Sequence, residues 1–309
     1  MAAGSRQLGE SRDVEFPTRD GTRLAGAFVV PGRPVPGPAA LILNGSGPLD
    51  RDSNMPGQRL DVASAIATAL GTRGIASLRF DKRGVGASGG DFLRTDFETE
   101  TSDAGTALAW LRGRPEVDGA RVALIGHSVG ATVAVRLASD NEAVAGVVLL
   151  AAAARPGEEV MRLQSDRIAA SLTGVQRLGA RWFLRRQERA RRKLLESRDD
   201  IVRIGRRLPA RWFREYMRYD PAIDLSTVRC PVLAITGSND VQVDPGDVDR
   251  IGELVLGPFA GLKPEGLTHV FRTHPRAGLS SYSAQLAGPV DSDLLVTIGA
   301  WLAETLSNQ

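Results

Sequence analysis

Cysteine is nearly absent from this 309-residue chain. Cys230 stands alone, which excludes an intrachain disulfide and a cysteine-based metal site. Placed between Arg229 and Pro231-Val-Leu-Ala-Ile235, its thiol reads as strand packing, because buried thiols are normally inert. Histidine is almost as scarce, so any imidazole chemistry must come from His127, His269 or His274. No stretch approaches the roughly 20 uninterrupted apolar residues that span a bilayer. Residues 143–154 are apolar but short, and a buried strand explains them better. Met1 to Arg12 is polar and lacks the apolar run of a signal peptide. A disordered tail over residues 1–12 and a cytoplasmic location are therefore expected.

The residues that are present describe an ordinary globular chain, 42% apolar and 24% charged. It is long enough to bury a substantial core without covalent staples. The net charge of +3 is unevenly spread. Residues 155–220 carry 18 Arg or Lys against 9 Asp or Glu, a net +9, and the remainder carries −6. Such asymmetry can mark contact with nucleic acid or an anionic membrane. Here, however, the basic residues alternate with apolar ones at helical spacing, as in Arg181-Trp-Phe-Leu-Arg185-Arg186. A solvated helical face accounts for that pattern, and no nucleic-acid partner is expected.

The chain alternates between strand-like and helix-like segments. Val14-Glu-Phe16 and Leu24 to Val30 flank Asp20-Gly21, a dipeptide suited to a tight hairpin turn. Apolar runs at Ala39–Leu43, Ile75–Phe80, Arg121–Ile125, Val144–Leu150 and Pro231–Thr236 read as strands, and Leu254–Leu262 adds another. Helical periodicity occupies residues 58–72, 96–112, 129–139 and 291–306. Continuous apolar strands between helices predict a mostly parallel sheet covered on both faces. Residues 155–220 break the alternation with helical composition and no convincing strand. They read as a helical cap inserted into a single α/β core formed by 13–154 and 221–309.

Two segments match the pattern G-x-S-x-G, so the pattern alone decides nothing. Gly86-Ala-Ser88-Gly-Gly90 has neither a strand immediately before it nor a helix after it, and reads as a loop. Gly126-His-Ser128-Val-Gly130 follows the run Val122–Ile125 and opens the apolar helix Ala131–Ala138. That is the strand–turn–helix context in which a serine is lifted above a sheet edge, with a helix N-terminus behind it favouring developing negative charge. Ser128 is therefore the candidate nucleophile. The plainer alternative is a serine that merely caps the helix.

Gly126-His-Ser-Val-Gly130 resembles the nucleophile elbow of the α/β-hydrolase superfamily. The resemblance extends through Asn44-Gly-Ser-Gly-Pro-Leu-Asp-Arg-Asp-Ser-Asn54 and Asp81-Lys-Arg-Gly-Val-Gly-Ala-Ser88 to Gly237-Ser-Asn-Asp240. The first of these loops is similar to that of a bacterial carboxylesterase-like branch. The resemblance implies an α/β-hydrolase fold and a Ser–Asp–His order of catalytic groups. Asp240 then occupies the acid loop, with Asp244 and Asp247 as alternatives that a helix start would use as caps. Either late histidine fits the order. Gly266-Leu-Thr-His269 and the apolar Val270-Phe271 favour His269, leaving His274 as a surface residue. His127, beside the serine, should diverge from it and pack or hydrogen-bond below. The resemblance also implies an oxyanion hole formed by the backbone N–H groups of Val129 and Ser46, with Gly47 as the runner-up to Ser46.

Asp50-Arg-Asp52-Ser-Asn54 is a poor calcium loop, since Met55 replaces the glycine and Asp61 the glutamate that such a loop needs. No metal or organic cofactor is expected. The implied activity is hydrolysis of a small-molecule acyl ester, the cap supplying a pocket from Trp182, Phe183, Trp212, Phe213, Tyr216 and Met217. Thioesterase, peptidase and acyltransferase chemistry would use the same groups, and fold alone cannot separate them. A catalytically silent receptor and a binder of anionic surfaces through the basic cap are the non-enzymatic rivals. Oligomeric state is not encoded in any motif.

Overall fold

Side chains on successive strand residues point to opposite faces of a sheet, and here both faces are apolar. The computed structural model describes residues 9–32, 35–139, 141–172, 174–275, 278 and 281–307. Its main sheet contains β1 (Glu10–Pro17), β2 (Arg23–Val30), β3 (Gly37–Leu43), β4 (Ala76–Phe80), β5 (Val117–His127), β6 (Gly146–Leu150), β9 (Val232–Ile235) and β10 (Phe259–Leu262). They lie in the order β1-β2-β4-β3-β5-β6-β9-β10. Strands β4 through β10 in that order run parallel, and the β1–β2 hairpin closes one edge antiparallel.

The alternation sorts the core into two layers. Leu41, Leu43, Val122, Leu124, Val147 and Leu149 face one layer, which α2 (Phe97–Arg112), α3 (Val129–Ala138) and α8 (Asp247–Leu254) cover. Ile42, Ala123, Ile125, Val148, Leu150 and Ile235 face the other, covered by α1 (Val62–Gly71) and the helix Ser292–Thr305. Because both faces are buried, the central strands are continuous apolar runs, which is why they stand out in the sequence.

Residues between β6 and β9 form α4 (Gly157–Ser171), α5 (Ala180–Glu196), α6 (Ala210–Arg218) and the short α7 (Pro221–Leu225). The segment is not wholly helical as expected: β7 (Ile201–Ile204) and β8 (Arg206–Pro209) pair as a separate antiparallel hairpin. Gly205, at φ +73°, makes its turn. The tail expected over residues 1–12 also needs correction, since Glu10, Ser11 and Arg12 belong to β1 and pair with β2. Residues 1–8 lie outside the described residues. The strand expected over Leu254–Leu262 is confined to Phe259–Leu262, because Leu254 ends α8. Among the described residues no helix is long and apolar enough to cross a membrane.

Candidate active site

The end of β5 and the start of α3 enclose a turn with almost no spare volume. A side chain at Gly126 would put its Cβ 2.3 Å from the Gly130 carbonyl oxygen, and one at Gly130 would lie 2.3 Å from that of Leu43. Between them Ser128 adopts φ 54° and ψ −121°. For a residue with a Cβ this conformation costs on the order of 1–3 kcal/mol and persists only where the surroundings enforce it. Its N–H donates to Leu150 O at 2.8 Å, and its carbonyl accepts from Ala131 N–H at 2.9 Å. The turn carries Ser128 out of the sheet and into a cavity of about 500 Å³.

His269 lines the same cavity. It stands after β10 in a tight loop in which Phe271 N–H donates to Thr268 O and Thr268 N–H to Arg272 O. His269 Nδ1 lies 2.8 Å from Asp240 Oδ2. Asp240 is 2% exposed, and its other oxygen accepts from Gln242 N–H at 2.7 Å and Val243 N–H at 2.9 Å. These three contacts hold the carboxylate in place and with it the imidazole ring. The structure therefore brings Ser128, His269 and Asp240 to one place. His274 does not line the cavity; it is half-buried, and its carbonyl accepts from Asn239 Nδ2 at 2.8 Å. Asp244 accepts from Gly246 N–H and pairs with Arg167, and Asp247 opens α8 and pairs with Arg155.

His127 takes the role expected of it. It is buried beneath the elbow, and its Nε2 lies 3.1 Å from the His269 carbonyl oxygen. Burial, reinforced by the charges of His269 and Arg272, holds its pKa well below 6.5. Neutral His127 therefore donates from Nε2 and braces the His269 backbone. Arg272, also buried, does similar work: it donates to the carbonyls of Val270 at 2.6 Å, Leu60 at 2.6 Å and Gly288 at 3.2 Å.

Ser46, after β3, and Val129, at the start of α3, both lie at the cavity system around Ser128. Among the described residues neither N–H donates a hydrogen bond. Gly45 lets this loop approach closely, since a Cβ there would sit 3.3 Å from Ser128 Cβ. A smaller cavity of about 90 Å³ also borders Ser128 and is lined by Val160, Met161 and Tyr216. Trp212, Phe213 and Gln242 border both spaces.

The pocket expected from the inserted segment needs correction. Trp212 and Phe213 do line both spaces, and Tyr216 lines the smaller one. Trp182 instead is 64% exposed on α5, Phe183 lines neither space, and Met217 packs inside the segment against Leu194 and Val202. Sequence reasoning also missed Arg206 and Arg207 of the hairpin, and Lys82 and Glu100 of the core, all of which line the larger cavity.

The remaining candidates serve structure. Ser88 Oγ is buried, accepting Ala25 N–H at 2.9 Å and donating to Asp81 O at 2.7 Å. Asp50 accepts the N–H groups of Asp52 and Asn54, while Asp52 pairs with Arg79 at 2.7 Å. Burial pushes the Cys230 thiol up to about 11, leaving it protonated at neutral pH.

Comparison with known proteins agrees with this architecture. Residues 57–255 match the family described as "Serine aminopeptidase, S33". The chain is 32% identical over 229 residues to esterase EstD of Thermotoga maritima, covering 72% of this chain and 52% of that protein. It is 33% identical over 151 residues to thiohydrolase apmlB of Arthrinium phaeospermum, covering 48% of this chain and 45% of that protein. The matches thus span about half the length of these curated relatives. The solved structure of Est1E from Butyrivibrio proteoclasticus with ferulic acid bound superposes with a TM-score of 0.65 at 17% identity, covering 96% and 98% of the two chains. The chain belongs to the serine aminopeptidase, S33, family of α/β-hydrolases.

Proposed function

We propose that the protein is a serine hydrolase that cleaves carboxylic esters through an acyl-enzyme, with Ser128, His269 and Asp240 as its catalytic triad. The observation that carries this reading is the buried 2.8 Å contact between Asp240 and His269 Nδ1, facing the cavity into which the strained Ser128 projects. A carboxylate on Nδ1 holds the proton there and leaves Nε2 to act as base.

His269 accepts the Ser128 proton as Oγ attacks the ester carbonyl, and the oxyanion is received by the Val129 and Ser46 N–H groups. His269 then protonates the departing alcohol. In the second half the same nitrogen activates water, which releases the acid and restores Ser128. General acid–base transfer contributes roughly 10²–10⁴-fold, and each oxyanion donor roughly 10²–10³-fold. The two spaces that border Ser128 suit the acyl and alcohol portions, with residues 155–220 acting as the cap that walls both.

Thioester cleavage is the second reading, favoured by the similarity to a protein named as a thiohydrolase. A matched set of p-nitrophenyl esters, S-acyl thioesters and aminoacyl anilides tests both against the amidase chemistry that the family description suggests. The proposal expects the oxygen esters to have the highest kcat/KM and Ser128→Ala to lose activity on all three. A preference for thioesters would support the second reading, and turnover surviving in Ser128→Ala would refute both.

A further inference from the structure

Lys82, Glu100 and Trp212 form a chain that ends on the oxyanion loop. The Lys82 side chain is buried, and its Nζ donates to the Gly45 carbonyl oxygen at 2.5 Å. The same Nζ pairs with Glu100 Oε1 at 2.5 Å. Glu100 Oε2 in turn accepts the indole N–H of Trp212 at 2.5 Å. Three separate segments are joined: the loop after β4, helix α2, and helix α6 of the inserted segment.

The Gly45 carbonyl and the Ser46 N–H belong to one peptide unit. In a trans peptide the two bonds point in opposite directions along a rigid plane, so whatever holds the oxygen also aims the hydrogen. A cation at the oxygen end also polarises the unit and strengthens the N–H as a donor. We propose that Lys82 is a positioning residue for the oxyanion hole, orienting and polarising the Gly45–Ser46 peptide, and that Glu100 and Trp212 couple this peptide to the inserted segment. The inference rests on the reading of Ser46 N–H as an oxyanion donor given above.

A purely structural ion pair makes a different prediction. Removing one partner of a buried pair that serves only structure destabilises the fold, but it should leave the chemical step of the folded protein untouched. An interaction realised only when the oxyanion forms lowers kcat and leaves KM nearly unchanged.

The test compares wild type with Lys82→Met, Lys82→Arg, Trp212→Phe and Ser128→Ala. It measures kcat and KM on one p-nitrophenyl ester, and Ki for a trifluoromethyl ketone, whose serine adduct places an oxyanion in the hole. Lys82→Met is expected to lose roughly 10–100-fold in kcat, below the 10²–10³-fold cost of deleting an oxyanion donor. KM should stay within about threefold, and Ki should rise in proportion to the loss in kcat/KM. Lys82→Arg should recover part of the loss, and Trp212→Phe should show a smaller loss in the same direction. Should Lys82→Met fail to fold, the same proportionality in Lys82→Arg and Trp212→Phe decides the matter. Wild-type kcat and Ki in folded Lys82→Met, or a kcat loss with unchanged Ki, would overturn the inference. If Ser128→Ala stays active, the underlying hydrolase reading has failed instead.

Discussion

Gly86-Ala-Ser88-Gly-Gly90 and Gly126-His-Ser128-Val-Gly130 share one pattern and have opposite fates. Ser88 is pulled inward, its hydroxyl used up by Ala25 N–H and Asp81 O. Ser128 is pushed outward by a turn in which neither flanking glycine can accept a Cβ. The difference lies in the flanks. Strand β5 and helix α3 clamp the second motif from both sides, whereas the first lies in a loop organised around the Asp81 carboxylate, to which Arg51 and Ala87 N–H donate. A five-residue pattern therefore reports chemistry only when the elements on either side force the serine into the cavity.

Substitutions at the two sites should separate accordingly. Ser128→Ala is expected to lower kcat by roughly 10⁴–10⁶-fold with the fold intact, measured by ester hydrolysis alongside circular dichroism. Asp240→Asn should cost roughly 10⁴-fold by releasing the correct His269 tautomer. An equal loss in Asp244→Asn would show that the wrong carboxylate has been chosen. Gly130→Ala drives a Cβ into the Leu43 carbonyl and should destabilise the protein by about 3 kcal/mol or more in denaturant unfolding.

Ser88→Ala is expected to change stability and spare catalysis. Removing the hydroxyl leaves a buried N–H and a buried carbonyl without their partner, a loss of roughly 1–3 kcal/mol, while kcat stays within about threefold. A large kcat loss without destabilisation would erase the contrast between the two motifs. The smallest effect concerns His127. Its pKa is depressed in the folded protein, so the unfolded chain takes up a proton below about 6.5 that the folded chain refuses. Stability is therefore complete above that pH and falls below it, by about 1.4 kcal/mol per pH unit for this group. His127→Gln should flatten the stability profile below about pH 6.5, where the unfolded chain alone takes up the proton.

The sheet and the elbow turn were legible because each is local, whereas the Ser–Asp–His order came only with the family resemblance. Buried parallel strands leave unbroken apolar runs, and the turn chemistry of the elbow is written within five residues. What stayed hidden depends on distant partners or weak local pattern. Arg272 follows His269 closely in sequence, yet its function comes from the Leu60 carbonyl, 212 residues away. Lys82, Glu100 and Trp212 meet only after three segments have packed. The β7–β8 hairpin was missed because two four-residue strands, one of them Arg-Arg-Leu-Pro, carry almost no alternation. Aromatic side chains of residues 155–220 could be named but not aimed, and Trp182 turned out to face solvent.

The most direct test of the central contrast is covalent. Wild-type protein reacted with a fluorophosphonate, digested and mapped by mass spectrometry should carry a single adduct on the peptide containing Ser128, and Ser128→Ala should carry none. An adduct on Ser88, or labelling that persists in Ser128→Ala, would contradict the assignment.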